Sequence, residues 1–86
     1  MEPEDLNIDG FEWDEDKAWS NLEKHGVSFE EASEAVENAE KISDPYKVRG
    51  EKRMLVIGST FLGRMLSVVI TFRGSRARII SSRRYP

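Results

Sequence analysis

The sequence contains no cysteine and only one histidine, His25. Without cysteine the chain can form neither a disulfide framework nor a thiolate metal site. A single histidine cannot build a zinc cluster, so we expect no metal and no other cofactor. The absence of disulfides is consistent with the cytosol, and we expect a cytoplasmic protein.

Long apolar runs are also missing. The N-terminus is acidic and lacks the basic and apolar regions of a signal peptide, and no apolar run approaches the roughly 18 residues that a membrane span requires. We therefore expect a soluble protein that is not exported and that has no membrane partner. The acidic residues 1–7 are predicted to be disordered.

What remains is enough for one small folded domain spanning residues 1–86. Hydrophobic residues make up 38% of the 86 residues, with two tryptophans, four phenylalanines and two tyrosines. A chain of this length hides only about 60 to 65% of its unfolded surface, so its stability margin is expected to be thin.

Charge is divided unevenly along the chain. Residues 1–45 hold fifteen carboxylates against three lysines, a net charge of −12, whereas residues 46–86 hold ten basic residues against Glu51 alone, a net charge of +9. Such asymmetry indicates an anionic partner on one face of the protein. The alternative is that the two halves neutralise each other within the fold.

The first half reads as a short strand followed by two helices. Apolar and polar residues alternate over 8–13, and Asp14 is a suitable N-cap for a helix over 15–25. Gly26 supplies the left-handed residue that ends this helix.

A second helix follows at once. Ser28 and Glu31 form a capping box, and Phe29, Ala32 and Val36 repeat at helical spacing. We expect this helix to end near Ala39.

The second half reads as strands. Asp44-Pro45 marks a connection, and strands are predicted over 54–58, 65–72 and 76–82, joined by short turns. The predicted fold is therefore α+β, with a short N-terminal strand and two helices packed on one face of an antiparallel β-meander.

Alternation along the strands assigns their faces. The larger side chains of the middle strand are predicted to face the helices: Leu66, Val68, Ile70 and Phe72. On the last strand Ala77 and Ile79 share that face, whereas Arg76 and Arg78 project together, with Ile80, away from the helices.

A family resemblance rests on the following residues in order: Phe11-Glu12-Trp13-Asp14, Lys17, Asn21, Lys24-His25-Gly26-Val27-Ser28-Phe29, Glu31-Ala32, and Arg78-Ile79-Ile80-Ser81 with Arg83. Over about residues 11–84 this pattern resembles the BrnT family of toxins from type II toxin-antitoxin systems. The resemblance implies a RelE-like fold and a metal-independent endoribonuclease that cleaves RNA, with mRNA as the substrate, free or on the ribosome, and so inhibits translation.

The resemblance also implies partners. A cognate BrnA antitoxin would neutralise the toxin and bind DNA through its own ribbon-helix-helix domain, so that this chain contacts DNA only indirectly, as a dimer or as a heterotetramer with the antitoxin. Family members continue into a further basic helix where this sequence ends at Pro86. If that helix supplies catalytic groups, this chain is expected to bind RNA and to cleave it poorly or not at all.

The required chemistry selects candidate site residues. A ribonuclease without metal must stabilise the charge that builds on the phosphoryl oxygens, and arginine does this with a planar, permanently charged fork. The predicted catalytic phosphate ligands are Arg64, Arg78, Arg83 and Arg84. The predicted RNA-binding residues are Arg76, Arg53, Lys52 and Tyr85.

The general base and acid stay open at this point. His25 is a candidate because histidine is the residue type suited to proton transfer near neutral pH, but a histidine at a helix end commonly bonds the terminal carbonyls, and we favour that structural interpretation. Tyr85 and Glu51 are the other candidates for proton transfer.

Several features have structural explanations beside functional ones. Trp13 and Trp19 are expected in the core rather than stacked on nucleotides, and the acidic helix face is expected to be solvated. The bases Arg49, Lys52 and Arg53 either steer phosphate or protect a strand edge from pairing. A second functional hypothesis is a non-catalytic module that binds RNA or the antitoxin and acts as a co-repressor.

Overall fold

The computed structural model describes residues 2–86 as two helices and a mixed sheet that contains six strands within these residues. A 3₁₀ turn, Pro3–Asp5, precedes β1 (Phe11–Glu12), α1 (Glu15–His25), α2 (Phe29–Glu37), β2 (Ala39–Ile42), β3 (Tyr46–Val48), β4 (Glu51–Ser59), β5 (Met65–Arg73) and β6 (Arg76–Arg84). The strand order is β1-β6-β5-β4-β2, and β3 also pairs with β4. The predicted α+β class is confirmed.

The predicted helix caps are present. The Asp14 carboxylate accepts hydrogen bonds from the backbone N–H groups of Asp16 and Lys17, and Gly26 ends α1 with φ at 66°. Ser28 and Glu31 form the capping box of α2. Short-range hydrogen bonding therefore decides where both helices begin.

The second helix is shorter than predicted, and two strands were missed. Helix α2 ends at Glu37, and Ala39 already belongs to β2. Strands β2 and β3 have four and three residues, most of them exposed, so neither shows a clear alternation of apolar and polar residues. The sheet is also not purely antiparallel, because β1 pairs with β6 in parallel.

Helix α2 packs against one face of the sheet, which we call the helix side. The central strands present Val56, Leu66, Val68 and Ile70 to it, and none of these side chains has any exposed surface. Gly58 of β4 lies so close to α2 that an added Cβ would sit 2.0 Å from the carbonyl oxygen of Ala35. A side chain at position 58 is therefore incompatible with this packing.

Helix α1 lies beside β6. The Asn21 amide donates to the carbonyl oxygen of Ser82 at 2.8 Å, and its oxygen accepts the N–H of Ser82 at 3.1 Å. The amide also donates to the carbonyl oxygen of Val27. Asn21 thus satisfies the backbone groups of β6 beyond the short strand β1. The packing of both helices on one face stays a prediction.

A β-bulge changes the alternation of β6. Val69 pairs with Ser81, but Ile70 pairs with Ile79, so Ile80 is an extra residue. Ser82 consequently joins Ile79 on the helix side, and Arg83 lies opposite Ser67 on the other face. Strict alternation would have placed Arg83 with Ile79.

The N-terminal segment packs on the core in this structure. Leu6 and Ile8 contact the core cluster, next to the 3₁₀ turn. The disorder expected for residues 1–7 stays a prediction, and Met1 lies outside the described residues.

Within residues 2–86, none of the helices is both long enough and apolar enough to cross a membrane.

Candidate nucleic-acid interface

The face of the sheet opposite α2, which we call the open face, carries most of the candidate cations. Cross-strand pairing places Arg78 beside Thr71, Ser81 beside Val69, and Arg83 beside Ser67. The apolar residues of this face, Leu55, Ile57, Met65 and Val69, are only half-buried. Arg78 and Arg83 therefore project from the same surface of β6.

Two arginines of β6 share one carboxylate. Arg78 Nη1 lies 2.8 Å from Glu12 Oε2, and Arg76 Nε lies 3.7 Å from Glu12 Oε1. Arg76 also donates to the carbonyl oxygen of Phe11 at 2.8 Å. Strand β1 thus holds both guanidinium groups at the edge of the open face, and part of the basic half is neutralised by the acidic half.

Arg83 differs from these two. Its side chain is exposed and makes no hydrogen bond or ion pair within the described part of the chain. Tyr85 follows on the same face, because its backbone N–H donates to the carbonyl oxygen of Met65 at 3.0 Å, and its side chain is 42% exposed. The end of β6 therefore presents a free guanidinium group and a phenol to solvent.

Two of the four predicted catalytic arginines lie on the helix side. Arg84 is exposed and pairs across the sheet with buried Leu66. Arg64 donates to Glu31 at 2.8 Å and to the carbonyl oxygen of Gly26 at 3.0 Å. The structure thus separates Arg64 and Arg84 from Arg78 and Arg83, and the catalytic role of each stays a prediction.

The pKa of the Glu31 carboxylate is shifted by its hydrogen bonds and by its burial. Partial burial raises its pKa, but the backbone N–H of Ser28 and the guanidinium of Arg64 outweigh that effect, and the pKa falls below its ordinary value of 4.5. The Glu31–Arg64 pair therefore joins the start of α2 to the turn between β4 and β5.

Arg53 is also paired. Its Nε lies 2.8 Å from Glu51, and the hydrogen bond from Arg53 is the main cause that lowers the pKa of Glu51, with the charges of Arg73 and Lys17 adding to it. Lys52 and Arg53 both line a cleft of about 460 Å³ that also contains Met54 and Phe72. The two predicted RNA-binding residues of β4 therefore share one cleft, in which Arg53 is held by Glu51.

A smaller cleft of about 200 Å³ separates α1 from β6. Its lining residues are Lys17, Ser20, Asn21, Lys24, His25, Ile80 and Ser81. The His25 ring is half-buried and makes no hydrogen bond within residues 2–86, so the expected bond to a terminal carbonyl is not formed. The Gly26 carbonyl accepts from Arg64 instead.

The two tryptophans differ. Trp13 is half-buried, packs edge-on against Phe29 with ring centroids 6.0 Å apart, and donates to Glu15 at 3.1 Å. Trp19 is 66% exposed, so its predicted core position is wrong. It lies on the flank of α1 that faces α2, beside Leu22.

Metal ligands are not clustered. In the described part of the chain, no three side chains of histidine, cysteine, aspartate or glutamate are grouped as a metal site would require.

The family of this chain is identified by its match to a family model. A family model described as "Ribonuclease toxin, BrnT, of type II toxin-antitoxin system" matches residues 13–85. The chain belongs to the BrnT family. Membership confirms the resemblance seen in the sequence and makes this chain a member of a family of ribonuclease toxins, which implies an RNA substrate and an antitoxin partner.

The BrnT fold has a crystallographic counterpart. The 1.1 Å crystal structure of the Brucella abortus ribonuclease toxin BrnT matches with a TM-score of 0.61 and 24% identity, covering 90% of this chain and 96% of that one. This likeness supports the two-helix, mixed-sheet architecture. No curated protein matches the chain.

Three residues of the candidate interface were not predicted as site residues. Glu12 clasps Arg76 and Arg78, and Lys17 and Lys24 line the cleft beside β6. All three belong to the residues that carry the family resemblance, which was the available signal. Their contacts with β6 join segments more than fifty residues apart.

Proposed function

We propose that this chain is a metal-independent endoribonuclease that acts in the cytoplasm, cleaves mRNA and inhibits translation. The open face binds the RNA backbone, with Arg78 and Arg83 as the principal phosphate ligands and Tyr85 beside them. Arg76 and Arg53 extend the basic surface. This assignment is in keeping with the family, whose description is a ribonuclease toxin.

The proposal rests on one observation: the Arg83 guanidinium has no partner within residues 2–86 and lies on the same face of the sheet as Arg78. Arg78 bonds Glu12 through Nη1, and its other N–H groups are available for a second acceptor. Two arginines on one strand can hold the non-bridging oxygens of a phosphodiester while negative charge builds on them. Arg64 already donates to Glu31 and to the carbonyl oxygen of Gly26. Its guanidinium therefore stabilises the fold and is less available to RNA than that of Arg83.

The proposed partner is a BrnA-type antitoxin that neutralises the toxin by covering the open face. It would compete with RNA for the same guanidinium groups and would connect the complex to DNA through its own ribbon-helix-helix domain. A heterotetramer of two toxins and two antitoxins is the expected assembly. A RelE-like relationship of the fold is part of the same proposal.

The test compares neighbouring arginines. Purified protein is incubated with RNA, with and without EDTA, and Arg83→Ala is compared with Arg84→Ala, which removes the same charge from the opposite face. We expect cleavage that survives EDTA and a loss on the order of 100-fold for Arg83→Ala, as for removal of a preorganised donor. Arg84→Ala should lose much less, and Lys47→Ala controls for net charge.

Equal losses for the two arginine variants would show that the open face is not the site. Intact RNA after incubation with the wild-type protein would favour the second candidate, a non-catalytic module that binds RNA or antitoxin. That candidate is favoured by one observation, namely that Arg53, Arg64, Arg76 and Arg78 are all paired with carboxylates.

A further inference from the structure

Helix α1 has two chemically different flanks. Glu15, Trp19 and Leu22 lie on the flank that borders α2. Lys17 and Lys24 lie on the other flank, which borders β6 and the open face. Because Asn21 fixes α1 to the edge of β6, the lysine flank forms one wall of a cleft whose other wall is the strand.

The two lysines of this wall are available to a ligand. Both side chains are exposed, and neither makes a hydrogen bond or ion pair within residues 2–86. Both lysines line the cleft that Ile80 and Ser81 of β6 complete. Two unpaired ammonium groups at one cleft favour an anionic occupant.

The cleft meets β6 at its bulge. Ile80 and Ser81 line it, and they lie between Arg78 and Arg83 along the strand. Bulges commonly occur next to active sites, where they redirect side chains. At about 200 Å³ the cleft holds several times the ~30 Å³ share of one water molecule, so it can accept a group of several heavy atoms.

His25 completes this wall. It is half-buried, lines the cleft and has no hydrogen-bond partner among the described residues, so its ring nitrogens are free for a ligand. Lys17 and Lys24 line the same cleft, and Arg64 donates to the carbonyl oxygen of Gly26, the residue next to His25. An imidazole in such a place is suited to moving a proton at neutral pH.

We infer that the cleft between α1 and β6 receives the scissile phosphodiester and its ribose, and that His25 is the general base of cleavage. This inference rests on the proposed ribonuclease function and names its proton-transfer group. Neutral His25 takes the proton of the ribose 2′-hydroxyl, and the 2′-oxygen bonds to phosphorus. The bond from phosphorus to the 5′-oxygen breaks, and that oxygen takes a proton from water.

The products are a 2′,3′-cyclic phosphate and a 5′-hydroxyl, and His25 returns its proton to solvent. Lys17 and Lys24 act with Arg78 and Arg83 to hold the anionic phosphate. The reaction needs no metal, oxidant or second substrate, because the nucleophile is part of the RNA.

The decisive test is chemical rescue. His25→Ala is expected to cleave RNA at least about 100-fold more slowly than wild type, and added imidazole should restore part of the rate. A purely structural histidine would show no rescue.

A binding measurement tests the lysines with a 2′-deoxy RNA analogue that cannot be cleaved. Lys24→Ala should bind more weakly, and the slope of log affinity against log salt should fall by about one. Circular dichroism checks that each variant is folded.

The outcomes distinguish the two proposals. If wild type cleaves RNA and Arg83→Ala is impaired while His25→Ala keeps the wild-type rate, the ribonuclease function stands and the role of His25 is overturned. A His25→Ala protein that is slow, folded and not rescued by imidazole also overturns it. A wild-type protein that cleaves no RNA overturns both.

Discussion

The arginines on the two faces of the sheet differ in how completely their guanidinium groups are bonded within the chain. On the helix side, Arg64 is bonded to Glu31 and to the Gly26 carbonyl, and it joins a helix to a turn. On the open face Arg83 has no partner in the described chain, and Arg78 keeps donors to spare. The face on which a strand places an arginine therefore decides whether its guanidinium is bonded within the fold or left open to solvent.

The largest loss of stability is expected from a substitution that disturbs the close packing of α2 against β4 on the helix side. Gly58→Ala would place a Cβ 2.0 Å from the Ala35 carbonyl oxygen, so α2 must move away from β4. We expect a loss of at least about 3 kcal/mol in the free energy of unfolding, measured by urea denaturation. Gly63→Ala, with open space around it and φ at 88°, should lose only about 1 kcal/mol.

An equal loss in these two variants would mean that α2 does not press on β4 at Gly58.

The second largest loss of stability is expected when the hydrogen bonds that attach α1 to β6 are removed. Asn21→Ala leaves the buried N–H and carbonyl groups of Ser82 without their partner, and we expect a loss of about 2 to 3 kcal/mol in the free energy of unfolding. Glu23→Ala, an exposed change on the same helix, is the control and should change stability by less than about 0.5 kcal/mol. Hydrogen exchange at Ser82 reports the lost bond directly, and unchanged protection there would contradict this account.

The smallest effect concerns the ion pair on the helix side. Because the pKa of Glu31 is lower in the folded protein, its contribution is fully present above the ordinary value of 4.5 and is lost as pH falls through the lowered pKa. Glu31→Gln should cost about 1 kcal/mol at neutral pH, and the difference from wild type should vanish in acid.

Glu30→Gln, on the same turn of α2, is the matched control for this pH series of urea denaturations. A constant difference between wild type and Glu31→Gln at all pH values would show that the pair does not carry the effect.

Local signals in the sequence predicted much of the fold. The caps at Asp14 and Ser28 act over three residues, so they can be identified without knowing the tertiary structure. Strands β2 and β3 escaped prediction because they are short and mostly exposed, and their pairing with β4 supplies the order that their own residues do not.

The candidate site was less predictable, because its geometry depends on contacts far apart in sequence. Glu12 accepts a hydrogen bond from Arg78, which lies 66 positions later in the chain, and no local sequence pattern predicts that pair. The bulge at Ile80 lies within Ile79-Ile80-Ser81, which contains no glycine or proline to mark it. The exposure of Trp19 was missed because residues 18, 19 and 22 form an apolar stripe wider than the surface that β6 and α2 cover.

The extra residue in β6 makes this strand tolerant of a change in length at one point. Removing Ile80 would restore strict alternation and leave Ser81 opposite Val69 and Arg83 opposite Ser67, so Arg83 and Arg84 would keep their faces. Replacing Ile80 by valine would also leave both orientations untouched. Variants of this protein can therefore lose one codon here without exchanging the surroundings of two adjacent cations.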